Sequence, residues 1–167
     1  YRHNDLAHLR LLLNKHHHDL RPKFIITETV FGMDGDAIDI AALADLADTF
    51  NAFLYLDEAH ATGLFGQDGH GLACGWIGTR GLAMGTFSKA LGVSGAYIAC
   101  SQTVRDYLIN RCSGFIYSTA PSPAVIGAAH AAWQACAKMT IARKKLLQRA
   151  QDLRTHLQTL GFNTGTS

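Results

Sequence analysis

The amino-acid sequence predicts an α/β domain whose mostly parallel sheet is flanked by helices. Short apolar runs of about five residues alternate along the chain with longer segments whose apolar positions recur at helical spacing. This alternation is typical of parallel sheets whose strands are joined by helices. Three of the runs also end on or beside polar side chains. Because such sheets bind ligands at the carboxyl ends of their strands, the pattern predicts a site at one edge of the sheet.

The helical regions are predicted from capping residues and from apolar spacing. Asn4 and Asp5 can cap a first helix, which Pro22 ends. The inner faces of the first two helices are predicted at Leu6, Leu9, Leu12 and Leu13, and then at Leu43, Leu46, Ala47 and Phe50. A third helix is predicted over residues 101–111, and a long helical stretch, with room for a bend, follows over residues 121–160.

Four strands are predicted, over residues 24–28, 53–57, 82–86 and 95–100, and the first two are expected to be buried. Glu28, Asp57 and Thr86 lie at the ends of the first three strands. A loop rich in glycine follows the second strand, at Gly63, Gly66, Gly69, Gly71 and Gly75. Glu28, Asp57 and Thr86 are therefore expected at the same edge of the sheet.

Composition excludes several classes of protein. The chain has 167 residues, enough for one domain with a core, and 48% of them are hydrophobic and 17% charged, which is ordinary for a globular protein. A net charge of +2 gives no reason to expect a nucleic-acid or membrane partner. The four cysteines are widely and irregularly spaced, so no disulfide framework is expected, and a cytoplasmic location is predicted.

Residues 57–60 read Asp-Glu-Ala-His and form the first candidate site. A carboxylate at the end of a buried strand is costly unless it is paired. The protonated ring nitrogen of pyridoxal phosphate (PLP) is one suitable partner for Asp57, and His60 could contact a neighbouring group of the same ring. A metal site or an ion pair within the sheet are the alternatives. Helicases carry a similar string, but the chain has no phosphate loop ending in Gly-Lys-Ser or Gly-Lys-Thr.

Lys89 is the second candidate, within the string Gly-Thr-Phe-Ser-Lys-Ala-Leu-Gly over residues 85–92. Its small and apolar neighbours predict a buried lysine, and burial frees an amine to act as a nucleophile. Such a lysine can form a Schiff base with PLP. Thr86 and Ser88 supply hydroxyl groups suited to the phosphate. Because Lys89 follows the strand after Asp57, the two residues together predict a PLP site.

The chain resembles fold-type I PLP enzymes, and more narrowly the α-oxoamine synthases. The strings that carry this resemblance are residues 27–36, 56–63, 85–95 and 115–120, and it extends over nearly the whole chain. The implied fold is the central part of an aspartate aminotransferase-like large domain. The implied reaction condenses an amino acid with an acyl thioester and releases CO2.

Residues 93–96 and 115–119 are most similar to the branch of biotin biosynthesis, which uses L-alanine and pimeloyl-CoA or pimeloyl-acyl-carrier protein. Glycine C-acetyltransferase and other α-oxoamine synthases remain alternatives. A third alternative is an inactive fragment that lacks part of the cofactor site.

The resemblance also implies a role for individual residues. Lys89 would carry the cofactor and move protons at the substrate Cα, and Asp57 would hold the pyridinium nitrogen. His60 would contact the phenolic oxygen of the ring, and Thr86 would bind the phosphate. Thr119 matches a residue that reaches the phosphate of the neighbouring subunit in a homodimer.

The segment 27–36 contains two further positions that bear on the site. Glu28 matches an acidic position near the substrate, although a strand-end charge without a function is the alternative. Gly32 stands where the biotin enzymes often have serine, so a hydrogen bond from a side chain at this position is lost.

The resemblance implies a piece of a longer protein. Residues 1–120 would form the PLP-binding core without its amino-terminal part, and residues 121–167 would lead toward a small carboxyl-terminal domain. A ring-stacking residue and a glycine-containing phosphate loop are expected before Tyr1.

The remaining features are expected to be structural, and no metal site is predicted. His16, His17 and His18 are expected at a solvated helix end, and His70 has no evident partner. Trp76 and Trp133 are expected to pack. A solvated basic face is predicted at Arg143, Lys144, Lys145, Arg149 and Arg154.

Overall fold

The computed structural model describes residues 1–165 and contains one four-stranded sheet. The strands are β1 (Lys23–Glu28), β2 (Ala52–Asp57), β3 (Gly81–Thr86) and β4 (Ala96–Cys100), in this spatial order. β1, β2 and β3 are parallel, and β4 is antiparallel to β3. The helices are α1 (Leu6–Lys15), α2 (Ile40–Thr49), α3 (Gln102–Arg111), α4 (Ser113–Ile116), α5 (Pro123–Lys138) and α6 (Thr140–Thr159). The predicted fold class is therefore confirmed.

The core lies between one face of the sheet and helices α1 and α2. Leu43 of α2 and Leu56 of β2 are fully buried at its centre. Asp5 caps α1 by accepting a hydrogen bond from the His8 N–H at 2.8 Å, and Asp39 caps α2 by accepting one from the Ala42 N–H at 3.0 Å. The predicted inner faces of both helices are confirmed at their central positions, Leu9, Leu13, Leu43, Leu46 and Ala47.

Helix α1 ends at Lys15, seven residues before the predicted end at Pro22. The three histidines that follow lie in a turn, and the Asp19 side chain accepts a hydrogen bond from the Arg21 N–H at 3.0 Å. The backbone bonds from the His17 N–H to the Asn14 carbonyl and from the Asp19 N–H to the His16 carbonyl, each at 3.1 Å, form turns instead of the helical pattern, so the helix ends before the proline.

Strand β1 is buried on one face only, whereas the sequence predicted a wholly buried strand. Phe24 and Ile26 are 64% and 66% exposed, while Ile25, which points to the other face, is 2% exposed. Alternate side chains of a strand point to opposite faces of the sheet, and within residues 1–165 only one face of β1 is covered by α1 and α2.

The long carboxyl-terminal helical stretch is broken at Met139, between α5 and α6. Arg143, predicted on a solvated face, is instead only 8% exposed. Its guanidinium donates hydrogen bonds to the Cys136 carbonyl and, at 3.2 Å, to the Thr140 hydroxyl. These bonds satisfy the buried cation and hold the turn between the two helices.

His70 and Trp133 stack on each other, with ring centroids 5.0 Å apart and planes 3° from parallel. The stack joins the glycine-rich loop to α5. The expectation that His70 lacks a partner was wrong because the contact spans 63 positions of sequence, whereas the packing role predicted for Trp133 is supported. Within residues 1–165, no helix is both long and apolar enough to cross a membrane.

Candidate functional site

The carboxyl ends of three parallel strands bring the predicted polar residues to one edge of the sheet. Glu28 and Asp57 are direct partners in the register of β1 and β2. Asp57 pairs with Met84 of β3, two residues before Thr86. The common edge predicted from the strand ends is therefore present.

Asp57 is partly buried at the end of β2. Its Oδ1 atom accepts a hydrogen bond from the Ala59 N–H at 2.8 Å, and this bond turns the chain out of the strand. Its Oδ2 atom has no hydrogen-bond partner among the described residues. One carboxylate oxygen is thus committed to the local turn, and the other is free to accept from a ligand.

His60 lies beside Glu28, a pairing that the sequence did not predict. His60 Nδ1 is 3.1 Å from Glu28 Oε2, and both side chains are 38% exposed. The Gly32 N–H donates to the same Glu28 oxygen at 3.0 Å. The ring of His60 is therefore held from β1 and from the segment that follows it.

The segment after β1 is itself tied to the amino terminus. The Asn4 side-chain amide donates to Asp36 Oδ2 at 2.7 Å, and His3 Nε2 lies 3.1 Å from Asp36 Oδ1. Burial raises the pKa of the Asp36 carboxyl, but the hydrogen bonds from Asn4 and His3 outweigh burial and bring its pKa below the usual value. Asp36 thus stays ionised and fixes the loop that carries Gly32.

Thr86, at the end of β3, supplies the observation that fits a phosphate. Its hydroxyl oxygen is buried and has no hydrogen-bond partner among residues 1–165. A buried hydroxyl without a partner costs roughly 1–3 kcal/mol. A phosphate oxygen would accept its hydrogen bond, so the residue types and this unpaired donor fit the predicted PLP.

Lys89 and Ser88 are both exposed, so the expected burial of Lys89 is wrong for this chain. The lysine lies in a bend beyond β3, where no described element covers its side chain. The backbone of the bend is nevertheless fixed: the Phe87 N–H donates to the Gly95 carbonyl, and the Val93 N–H donates to the Phe87 carbonyl, each at 2.9 Å. Lys89 is therefore accessible on a well-anchored loop.

The loop that carries Lys89 also packs against the glycine-rich loop. Gly63 has a φ of 88°, and a Cβ atom there would lie 2.7 Å from the Cβ of Ala90. A side chain at Gly63 would thus meet both an unfavourable backbone conformation and the neighbour of Lys89.

Thr119 lies apart from the strand-end residues. It is exposed, follows α4, and has no hydrogen bond to the other site residues within residues 1–165. Its role toward a neighbouring subunit stays a prediction.

Glu58 is a buried carboxyl group that the sequence analysis did not single out. It is 1% exposed, and its Oε1 atom accepts from the Ala73 N–H at 3.1 Å. It lies on the wall of a cavity of about 840 Å³, together with Tyr97 and Trp133. Burial raises the pKa of Glu58 above its ordinary value near 4.5, and the negative charge of Asp57 adds to this effect.

The raised pKa of Glu58 predicts a pH-dependent stability. Since the native state keeps this proton to higher pH than the unfolded state, the contribution of Glu58 is fully present below pH 4.5 and is lost as pH rises through the native pKa. In Glu58→Gln this loss of stability with rising pH should be absent. In the wild type it amounts to about 1.4 kcal/mol for each pH unit between the unfolded and the native pKa of Glu58. Urea unfolding of both proteins from pH 4 to pH 9 measures it. Equal slopes for wild type and Glu58→Gln would contradict the prediction, and Asp45→Asn, at an exposed position of α2, is the control.

Comparison with protein families identifies the chain. A family model described as aminotransferase class I and II matches residues 1–167. The chain belongs to this family. The aminotransferase class I and II family is consistent with the mixed sheet and with the residues at its strand ends.

Curated relatives narrow the likeness within the aminotransferase class I and II family. The chain is 49% identical over its full length to 8-amino-7-oxononanoate synthase from Gluconacetobacter diazotrophicus, and 53% identical to a protein from Magnetococcus marinus that carries the same name provisionally. In both cases it spans 42% of the relative's length. The chain therefore corresponds to less than half of these proteins.

Solved structures support the same assignment. Serine palmitoyltransferase from S. paucimobilis, with a bound PLP–myriocin aldimine, matches the whole chain at 25% identity with a TM-score of 0.88, over 44% of its own chain. The 8-amino-7-oxononanoate synthase from Francisella tularensis matches 89% of the chain at 26% identity with a TM-score of 0.72, over 42% of its own. The resemblance to the α-oxoamine synthases is confirmed.

Proposed function

We propose that this chain is part of an 8-amino-7-oxononanoate synthase of biotin biosynthesis. The enzyme would bind PLP and condense L-alanine with pimeloyl-CoA or pimeloyl-acyl-carrier protein, releasing CO2 and the free thiol of the acyl carrier. The observation that carries the proposal is the identity of about half of all positions, along the whole chain, to relatives with that name. The chain spans 42% of those relatives, so other segments would complete the site.

The residues at the sheet edge suit this chemistry. PLP, when bound, withdraws electrons from the Cα atom of an amino acid. The free Oδ2 atom of Asp57 would accept from the pyridinium N–H, and His60 would contact the phenolic oxygen. Thr86 and Ser88 would donate to the phosphate. The exposed amine of Lys89 would attach the cofactor and then take and return the proton at Cα.

The organisation of the whole protein follows from the same proposal. Residues 1–120 would form the cofactor-binding core, and residues 121–167 would lead toward a small domain. The full-length protein would be a cytoplasmic homodimer in which Thr119 binds the phosphate of the partner's cofactor. The substrates would be an amino acid and an acyl thioester.

A second candidate is another α-oxoamine synthase activity. The observation behind it is that serine palmitoyltransferase, another α-oxoamine synthase, matches the whole chain. The two enzymes would differ in the amino acid and in the acyl chain that they accept.

Product analysis of the full-length protein with PLP tests the proposal. Incubation with L-alanine and pimeloyl-CoA, or pimeloyl-acyl-carrier protein, should give the mass of 8-amino-7-oxononanoate together with CO2. L-serine with palmitoyl-CoA and glycine with acetyl-CoA serve as matched alternatives. A product formed only with one of these pairs would favour the second candidate. No product with any pair would favour an inactive protein.

A further inference from the structure

We propose that Glu28 is a positioning residue that fixes the orientation and the protonation of the His60 ring. The inference rests on the proposed function, because it assigns His60 the contact with the cofactor ring. It gives Glu28 a role toward His60, whereas the resemblance implied only a position near the substrate. It rests on one shared oxygen atom, on the rigidity of two strand ends, and on the absence of a side chain at Gly32.

Glu28 Oε2 accepts a hydrogen bond from the Gly32 N–H at 3.0 Å and lies 3.1 Å from His60 Nδ1. The strand register pairs Glu28 with Asp57, three residues before His60. The sheet therefore fixes the backbones of Glu28 and Asp57, and the backbone N–H of Gly32 orients the carboxylate. The ring of His60 therefore contacts a carboxylate whose own position is fixed by the Gly32 N–H.

The chemistry of this pair decides which ring nitrogen carries a proton. An ionised carboxylate only accepts hydrogen bonds, so the Nδ1 atom that faces it must be protonated. In the neutral ring the Nε2 atom is then an acceptor, and in the charged ring it is a donor. Among the described residues Nε2 has no hydrogen-bond partner. Glu28 therefore keeps Nε2 as the nitrogen available to the phenolic oxygen of a bound ring, as carboxylates do for metal-binding histidines.

Gly32 makes the placement of the ring possible. A Cβ atom at this position would lie 2.3 Å from His60 Cε1 and 2.8 Å from Nε2. The imidazole thus occupies the space that any other residue would fill with its side chain. Serine, which the biotin enzymes often carry here, would require the ring to move away from Glu28.

Nitrogen-15 NMR of the histidine rings in the 167-residue chain, without cofactor, tests the proposal. The His60 signal is assigned by its absence from His60→Asn. Wild type should show His60 protonated on Nδ1. Glu28→Leu should lower the ratio of the Nδ1–H to the Nε2–H form by roughly tenfold, since a charged hydrogen bond is lost. Glu28→Gln should restore the wild-type ratio, because its amide oxygen also accepts.

Control variants separate positioning from a general effect on the fold. Asp45→Leu removes an exposed carboxylate of α2 and should leave the ratio unchanged, and thermal unfolding identifies any variant that is not folded. Gly32→Ser should reproduce the effect of Glu28→Leu by displacing the ring. An unchanged ratio in folded Glu28→Leu, or in folded Gly32→Ser, would overturn the proposal.

A spectrum of the same samples with PLP distinguishes a failure of the Glu28 proposal from a failure of the proposed function. PLP is added after the NMR measurement, and the visible spectrum is recorded. A wild-type chain without a visible band would contradict PLP binding by the chain, whereas the ratio of ring forms would still decide the role of Glu28.

Discussion

Lys89→Ala is expected to abolish the visible absorbance band that forms when PLP is added to the wild-type protein. The band arises from the covalent bond between the cofactor and the lysine amine, which alanine cannot form. Catalytic activity of the full-length protein should fall by a factor of about 10² to 10⁴ or more, because the group that moves the Cα proton is lost with it. Spectra before and after PLP addition, with activity assays alongside, measure both effects.

The matched control for Lys89 is Lys144→Ala, which removes an exposed lysine of α6. Reduction of the wild-type complex with borohydride should leave the cofactor mass on the peptide that contains Lys89. A band that survives in Lys89→Ala, or label on another lysine, would contradict the assignment.

Asp57→Asn is expected to lower the activity of the full-length protein by about 100-fold or more, because a neutral amide does not hold a proton on the ring nitrogen and the electron sink is weakened. The fold should survive, since asparagine keeps the Oδ1 acceptor that the Ala59 N–H uses. The activity assay, a PLP titration followed by absorbance and the thermal unfolding temperature separate the two effects. Wild-type activity in a folded Asp57→Asn protein would rule out this role, and Asp45→Asn is the control for the charge.

The strand ends could be predicted from the sequence because the relevant signals are local. Glu28, Asp57 and Thr86 lie at the ends of short apolar runs, and parallel pairing brings such ends to one edge. The caps of α1 and α2 are likewise encoded next to the helices that they begin. Local pattern therefore predicted the frame of the site.

Side-chain partners could not be predicted because they join distant parts of the chain. The contact of His60 with Glu28 spans 32 positions, and the stack of His70 on Trp133 spans 63. The burial of Arg143 depends on the break at Met139, which turns one face of α6 toward Cys136. Helical spacing alone does not reveal such a break.

The exposure of Lys89 has a similar cause. Small and apolar neighbours indicate a buried lysine only when another element covers it, and no described element does so. The small residue beside Lys89, Ala90, instead packs against Gly63 of the glycine-rich loop. The small residues around Lys89 therefore allow two loops to pack closely, and they do not bury the lysine amine.

The parallel order of β1, β2 and β3 has a kinetic consequence. Glu28, Asp57 and Thr86 come together only after strands separated by long connections have paired, and non-local pairing of this kind is slow compared with helix formation. No short peptide of this chain contains the site, since each strand contributes one part of it. The site therefore cannot form until these strands have paired, and a bound cofactor would stabilise the fully paired sheet over partly paired states.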